Sequence, residues 1–158
     1  MSRHLSDLVR KGLVEPVPVL LGPRDQRFRR LFWTKDAFTW WQTVATLPSR
    51  SLATLPEQLN QAFADFIVGR PMTGMTKCDP PRGQGIWRLK TPDLRLYGWA
   101  PEQNTMIIAI GELKQVLAKP GPPKDRDLGR GVVAARRRLG FSNWLVGEIF
   151  NVFPRSPR

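Results

Sequence analysis

The sequence is poor in the side chains on which many enzyme mechanisms depend. Among 158 residues there is one cysteine, Cys78, and one histidine, His4. A disulfide framework and a cysteine-rich metal site are therefore excluded. A zinc site of the usual type, a Ser-His-Asp triad, a Cys-His pair and a two-histidine ribonuclease mechanism all lack their parts. Any reaction at a phosphodiester must use lysine, arginine, tyrosine or carboxylate groups, and we expect no metal and no cofactor.

Long apolar runs are also missing. The most apolar stretch near the start, residues 13–21, is interrupted by Glu15, Pro16 and Pro18. It predicts neither a membrane span nor a signal peptide. We therefore expect a cytoplasmic protein with no membrane partner.

Acidic residues are few compared with basic ones. Lysine and arginine number 25 against 13 aspartates and glutamates, which gives a net charge of +12. Such an excess indicates a polyanionic partner, most often nucleic acid. The length suits one domain with a sizeable core.

Hydrophobic spacing predicts an α+β domain. Residues 31–33 form a first strand, and a helix follows that begins at the N-cap Thr34 and ends near residue 47. A second helix follows a capping box that begins at Thr54, and Gly69 ends it. Two consecutive helices joined by a short loop predict an antiparallel pair on one face of a sheet.

Residues 84–111 predict three strands joined by two turns. Alternation in the first two strands separates an apolar face from a cationic and aromatic face, which carries Arg88, Lys90, Arg95, Tyr97 and Trp99. A four-residue loop, 91–94, keeps the apolar faces together and places Lys90 opposite Arg95 and Arg88 opposite Tyr97. Like charges opposite each other are destabilising, so this face is predicted to meet an anion. The alternative is an ordinary solvated strand face.

Two further basic clusters flank this region. One precedes the first strand and contains Arg29 and Arg30; the other is the basic edge of a helix that begins at Asp125 and includes Arg136, Arg137 and Arg138. Each either contacts phosphate or is a solvated face. We interpret residues 1–27 as an N-terminal extension, residues 28–140 as the domain, and residues 141–158 as a hydrophobic and basic C-terminal tail that docks on the domain or on a partner.

The order strand, two helices, three-stranded meander and basic helix, together with GIWRLKTPDLRLYGW at residues 85–99, resembles the RelE/HigB toxins of bacterial toxin–antitoxin modules. The phage-derived branch of that family is the most similar, although its pattern usually has an acidic residue where this chain has Arg88. The resemblance covers roughly residues 28–140. It implies a RelE/ParE-like fold, in which a twisted antiparallel sheet of about four strands carries two helices on one face, followed by a C-terminal basic helix. It also implies that messenger RNA is cleaved in a concave basic site on the other face.

The resemblance also implies site residues. By position, Arg95 matches the arginine of the second meander strand, Arg88 and Lys90 match basic positions of the strand before it, and Lys114 lies near the basic positions after the third strand. A 2′-hydroxyl attack on phosphate needs a base, charge stabilisation and an acid. We expect Lys90 or Lys114 to act as base, Arg88 and Arg95 to clamp the phosphate, and Tyr97 to donate a proton or stack.

A wider surface is expected to bind RNA, with Trp99 as a stacking platform and with Arg29, Arg30, Arg136, Arg137 and Arg138 as phosphate contacts. The implied function is a metal-independent endoribonuclease toxin that cleaves mRNA, free or on the ribosome, inhibits translation and is held inactive by an antitoxin protein. Two alternatives stay open: a ParE-like inhibitor of a topoisomerase without nuclease activity, and a non-catalytic nucleic-acid-binding protein of a phage or mobile element.

Overall fold

The predicted meander is the centre of a larger sheet in the computed structural model, which describes residues 1–79 and 81–157. Six strands form one open sheet in the order β1-β2-β6-β5-β4-β3. Their bounds are β1 Val14–Pro16, β2 Arg30–Thr34, β3 Met75–Lys77, β4 Ile86–Lys90, β5 Leu94–Trp99 and β6 Thr105–Leu113. The chain is therefore a single α+β domain, as the spacing predicts.

The predicted sheet of about four antiparallel strands is not matched in detail. Strand β2 runs parallel to β6, with Arg30 beside Thr105, while the other neighbouring strands are antiparallel. The two additional strands, β1 and β3, have three residues each and stand at the two edges. Strands this short carry no readable periodicity, and Pro16 is tolerated because an edge strand leaves part of its backbone unpaired.

Helices cover both faces of the sheet. The helices of the described residues are α1 Arg3–Arg10, α2 Lys35–Val44, α3 Leu55–Ile67, α4 Lys114–Leu117, α5 Asp125–Arg138 and α6 Ile149–Val152. As predicted, α2 and α3 pack on one face, around Trp33 and Phe63. Helices α1 and α5 cover much of the other face, where Leu5 and Val132 belong to the same buried cluster as Tyr97. The cationic face is therefore open only in part.

The predicted helix starts are confirmed by their caps. The Thr34 hydroxyl accepts a hydrogen bond of 3.2 Å from the backbone N–H of Ala37, at the start of α2. At α3, Thr54 accepts from the N–H of Glu57 at 3.2 Å and donates to the Glu57 carboxylate at 2.9 Å. Each cap satisfies backbone donors that the first helical turn leaves without a partner.

A β-bulge interrupts the pairing of β5 with β6. Tyr97 pairs with Ile110, whereas the next residue, Gly98, pairs with Ile108. A Cβ atom at Gly98 would lie 2.0 Å from the Ile107 carbonyl oxygen, so only glycine allows the strands to approach this closely.

Side chains near both ends of the described chain are buried. Leu5, Leu8 and Val14 are buried near the start. Near the other end Phe153 is buried against Phe66, at a ring distance of 5.2 Å. No helix in the described part of the chain has the length and apolar character needed to cross a membrane.

Arg29 joins the C-terminal segment to the end of α3. Its side chain is 2 % exposed, and its guanidinium donates hydrogen bonds of 3.0 to 3.3 Å to the carbonyl oxygens of Phe66, Arg70, Phe153 and Pro154. Burial lowers its pKa to about 10, so it remains charged at neutral pH. Arg29 therefore donates to four backbone carbonyl groups, two at the end of α3 and just after it and two in the C-terminal segment.

We expect Arg29→Met to lower the free energy of unfolding by about 3 kcal/mol, because four carbonyl groups lose a charged donor. Arg30→Met is the matched control, since Arg30 is exposed, and its effect should stay within about 0.5 kcal/mol. Urea unfolding measures both, and limited proteolysis should cut the C-terminal segment of Arg29→Met first. Equal stability of the two variants would contradict this account.

Candidate functional site

The predicted register between β4 and β5 is confirmed. Lys90 pairs with Arg95, and Arg88 pairs with Tyr97. On the far side of β5, Arg95 pairs with Glu112 of β6. Four of the five predicted catalytic residues therefore lie in two adjacent cross-strand pairs on one face of the sheet.

The turn that sets this register is held by a buried glutamine of α3. Gln58 is 4 % exposed. Its side-chain oxygen accepts hydrogen bonds from the Thr91 hydroxyl at 2.8 Å and from the Asp93 backbone N–H at 3.0 Å, and its side-chain nitrogen donates to the Asp93 carboxylate at 2.8 Å. Burial opposes ionisation of Asp93, but hydrogen bonds, that from Gln58 foremost, outweigh it and lower the pKa of the carboxyl. Gln58 thus fixes the loop between Lys90 and Arg95.

Asp125 ties Arg88 and Tyr97 to the start of α5. Its carboxylate forms an ion pair with Arg88 and accepts a hydrogen bond of 2.5 Å from the Tyr97 hydroxyl. Arg88 also donates to the Thr76 hydroxyl at 3.2 Å. A carboxylate in the first turn is favoured by the positive end of the helix dipole. Arg88 is therefore already paired, and its side chain is 18 % exposed.

The other two cations of these cross-strand pairs, Lys90 and Arg95, lack such a partner. Among the described residues, neither Lys90 nor Arg95 forms an ion pair. The Arg95 guanidinium donates to the carbonyl oxygens of Thr91 at 2.7 Å and Leu94 at 2.8 Å, which aligns it along the turn. Burial lowers the pKa of Arg95. The charge of Arg88, followed by partial burial and the charge of Arg95, lowers the pKa of Lys90.

Tyr97 and Trp99 do not reach the surface. Both side chains are 0 % exposed, and Trp99 packs against Phe141 at a ring distance of 5.3 Å. Burial and the hydrogen bond to Asp125 raise the pKa of Tyr97. In this structure Trp99 presents no ring face to a base, and Tyr97 acts on its surroundings through Asp125.

Lys114 lies outside these cross-strand pairs, at the start of α4. Its backbone N–H donates to the Asp93 carbonyl oxygen at 2.9 Å, which places it beside the β4–β5 turn. Its side chain lines a cavity of about 290 Å³ together with Arg50 and Asp93. Its charge adds a small contribution to the lowered pKa of Lys90.

The predicted RNA-binding arginines are divided between the core and the surface. Arg136 is 1 % exposed; it donates to the backbone and side-chain oxygens of Gln84, and its guanidinium lies 3.5 Å from the centre of the Trp144 ring. Arg137 and Arg138 are exposed, and Arg138 forms an ion pair of 3.2 Å with Asp36. Arg136 therefore packs the α5 side of the fold.

Arg29 and Arg30 lie at the opposite end of the sheet from Lys90 and Arg95. Arg30 pairs with Thr105 at the beginning of β6, whereas Arg95 pairs with Glu112 near its end. At about 3.3 Å per strand residue the separation is roughly 23 Å. The two basic regions are distinct surfaces.

Known proteins give no independent guide to this site. No protein-family model matches the chain, and no curated protein or solved structure shows a significant match. Within residues 1–79 and 81–157, no group of three or more histidine, cysteine or acidic side chains is arranged to hold a metal ion.

Sequence reasoning missed Asp125 and Gln58. Asp125 was recognisable as a helix start, but its partner Arg88 is 37 residues away, and no local spacing signals that pairing. Gln58 lies on the inward side of α3, where a single polar residue among apolar ones is the available signal.

We expect Gln58→Met to destabilise the protein by about 2 kcal/mol, because the Asp93 N–H and the Thr91 hydroxyl lose their acceptor. Gln61→Met is the control on the exposed side of the same helix, with an expected change within about 0.5 kcal/mol. Thermal and urea unfolding measure both. Amide exchange should be faster at the β4–β5 turn in Gln58→Met, and unchanged exchange there would contradict the proposed role.

We expect Arg88→Gln to raise the pKa of Lys90, since the charge of Arg88 is the largest cause of its lowering. The substitution also leaves the Asp125 carboxylate without its cation, which acts in the same direction. NMR titration of the lysine side chains measures the change. The control is Arg3→Gln on α1, which should not change the pKa of Lys90. If the pKa of Lys90 stays constant or falls in Arg88→Gln, the charge of Arg88 is not the main cause of its lowering.

Proposed function

We propose that the protein is a metal-independent endoribonuclease toxin similar to RelE/HigB, which cleaves messenger RNA, free or on the ribosome, and so inhibits translation. The order of elements on which the resemblance rests supports this proposal. Strand β2 is followed by the helix pair α2 and α3, by the meander of β4, β5 and β6, and by the basic helix α5.

The observation that carries the proposal is the cross-strand pair of Lys90 and Arg95. These cations face each other in register, and neither forms an ion pair among the described residues. Two like charges in this arrangement repel each other, and Arg88 stands in the next pair. A phosphate bound between them relieves the repulsion and accepts charged hydrogen bonds from the fixed Arg95 guanidinium.

Lys90 is the proposed general base. A lysine with a lowered pKa is more often neutral near physiological pH, and only its neutral form removes a proton from a ribose 2′-hydroxyl. The 2′-oxygen then attacks the adjacent phosphorus, and the bond to the 5′-oxygen breaks. The products are a 2′,3′-cyclic phosphate and a 5′-hydroxyl, whose proton comes from water.

Arg95 and Arg88 have different parts in this scheme. Arg95 is held by its own turn carbonyls and stabilises the charge that develops on the phosphorane oxygens. Arg88 lowers the pKa of Lys90 while Asp125 holds it in place. Tyr97 is a positioning residue because it is buried and its hydroxyl donates a hydrogen bond to Asp125. Lys114 adds positive charge beside the turn.

The same surface suits an inhibitory partner. An antitoxin that presents acidic side chains to Lys90 and Arg95 would occupy the phosphate position and neutralise the excess charge. The proposal therefore includes a cytoplasmic toxin–antitoxin pair in which the cationic face is covered until the antitoxin is lost.

A specific observation favours a second candidate, a non-catalytic nucleic-acid-binding protein. Arg88 is already paired with Asp125, and Trp99 is buried. The groups left for the chemical step are then few, whereas Lys90 and Arg95 suffice to bind a phosphate. This candidate predicts RNA binding without cleavage.

We expect the purified protein to cleave single-stranded RNA in the presence of EDTA, tested both free and on translating ribosomes. Lys90→Gln should lower the rate by about 10²-fold or more, as expected for loss of a general base, and Arg95→Gln by about 10²-fold. Lys11→Gln is the charge-matched control, because Lys11 is exposed at the end of α1, beside the edge strand β1 and not beside β4 or β5.

The pH dependence gives a second readout. The rate should rise with pH as Lys90 loses its proton and level off above its pKa, which lies below the ordinary lysine value. Arg88→Gln should shift this midpoint upward. If the wild type cleaves neither free RNA nor RNA on translating ribosomes, the nuclease proposal is excluded. If Lys90→Gln cleaves RNA as fast as the wild type does, Lys90 is not the base.

A further inference from the structure

A second basic concavity lies where three segments of the chain meet. It has a volume of about 590 Å³ and is formed by residues 24–28, by the end of α3 and by the C-terminal segment. The Phe28 N–H donates to the Ile67 carbonyl oxygen at 2.7 Å, and the Ser156 N–H donates to the Gly69 carbonyl oxygen at 3.0 Å. Its walls are therefore fixed by backbone hydrogen bonds and, beside them, by the buried Arg29.

Arginine dominates the lining of this concavity. Four arginines line it, accompanied by one carboxylate, Asp25: they are Arg24, Arg27, Arg70 and Arg155. Arg70 is paired with Asp65 at 2.5 Å and lies 3.7 Å from Asp25. Within the described residues the other three arginines form no ion pair. Three charges without a counter-ion around one concavity mark a place for an anion.

The concavity continues into a neighbouring one. Arg27 and Phe28 also line a depression of about 490 Å³ that includes Arg30 and Asn104. Phe28 is 36 % exposed, so part of its ring faces solvent between the two. We call the two together the arginine groove. The groove combines several guanidinium groups with an accessible aromatic ring. In proteins that bind single strands, guanidinium groups bind the phosphates and aromatic rings stack on the bases.

We propose that the arginine groove binds the phosphates of a single-stranded nucleic acid, with a base stacked on Phe28. The proposal rests on the proposed function for the identity of the nucleic acid, RNA. The groove lies at the opposite end of the sheet from Lys90 and Arg95, since Arg30 pairs with Thr105 and Arg95 with Glu112. It therefore adds a second anchoring point for a long strand, separate from the point of cleavage.

Binding is tested with a fluorescent 2′-O-methyl oligouridylate that is long enough to span the sheet. This probe has no 2′-hydroxyl nucleophile, so binding is measured whether or not the protein cleaves RNA. The groove variant is Arg24→Gln/Arg27→Gln. The control is Arg3→Gln/Arg10→Gln, which removes the same charge from two exposed positions of α1. Thermal unfolding confirms that both variants are folded.

We expect the groove variant to bind the probe about tenfold more weakly than the control does. The logarithm of the binding constant should also depend less steeply on the logarithm of the salt concentration: the magnitude of the slope should fall by about 1.4, which is about 0.7 for each of two lost phosphate contacts on a single strand. Phe28→Leu should weaken binding several-fold with an unchanged salt slope, because stacking involves no counter-ion. Equal weakening by the groove variant and the control would overturn the proposal, since net charge alone would then explain binding.

Two further experiments distinguish a nucleic-acid phosphate from a free phosphate, and the groove proposal from the nuclease proposal. Inorganic tripolyphosphate, uridine monophosphate and the unlabelled oligonucleotide are added as competitors at the same concentration of phosphate groups. If either small compound displaces the probe as well as the oligonucleotide does, the groove binds free phosphates and the nucleic-acid site is overturned. Cleavage is measured separately on unmodified RNA. If the groove variant binds the probe more weakly than the control but the wild type does not cleave RNA, only the proposed nuclease activity is contradicted. If the wild type cleaves RNA but the groove variant binds the probe as tightly as the control, only the proposed groove is contradicted.

Discussion

The pairing of β4 with β5 is the constraint on which both the core and the candidate site depend. Side chains alternate along a strand, so a slip of β4 by one residue against β5 would turn Leu89 towards the cationic face and Arg88 and Lys90 into the core. The turn at residues 91–94 prevents this slip, and buried Gln58 holds the turn from α3. A glutamine on one face of the sheet therefore determines which charges appear on the other.

The cationic face is a compromise between packing and exposure. Helix α5 begins at Asp125 and covers the part of the face that holds Tyr97, while Lys90 at the open end remains exposed. Asp125 marks the boundary, because its carboxylate pairs with Arg88 and with the Tyr97 hydroxyl. Covering more of the sheet would bury Lys90 beside Arg88 and Arg95 at a large desolvation cost, whereas covering less would expose Trp99. The position of α5 thus limits an anion site on this face of the sheet to the cross-strand pair nearest the turn.

The sequence predicts the features that depend on neighbouring residues and does not predict those that join residues far apart in the chain. Caps at Thr34 and Thr54 and the register of Lys90 with Arg95 depend on a few neighbouring residues, and they are confirmed. Strands β1 and β3 are too short for a periodic pattern. The ion pair of Arg88 with Asp125 and the bonds of Arg29 to Phe153 and Pro154 join distant residues, which local spacing does not specify. The catalytic and RNA-binding roles themselves stay predictions.

The net charge of +12 does not describe a uniform surface. Arg29 and Arg136 are buried donors to carbonyl oxygens, and burial lowers the pKa of each to about 10. Their hydrogen bonds to backbone carbonyl groups stabilise the fold. Lys90 and Arg95 at one end of the sheet form no ion pair within the described residues, and neither do Arg24, Arg27 and Arg155 in the arginine groove at the other end. An anion bound at both ends must extend over roughly 23 Å, given the length of β6 between the two registers. A single ligand of both proposed sites would therefore have to be a long polyanion, because a small phosphate cannot span this distance.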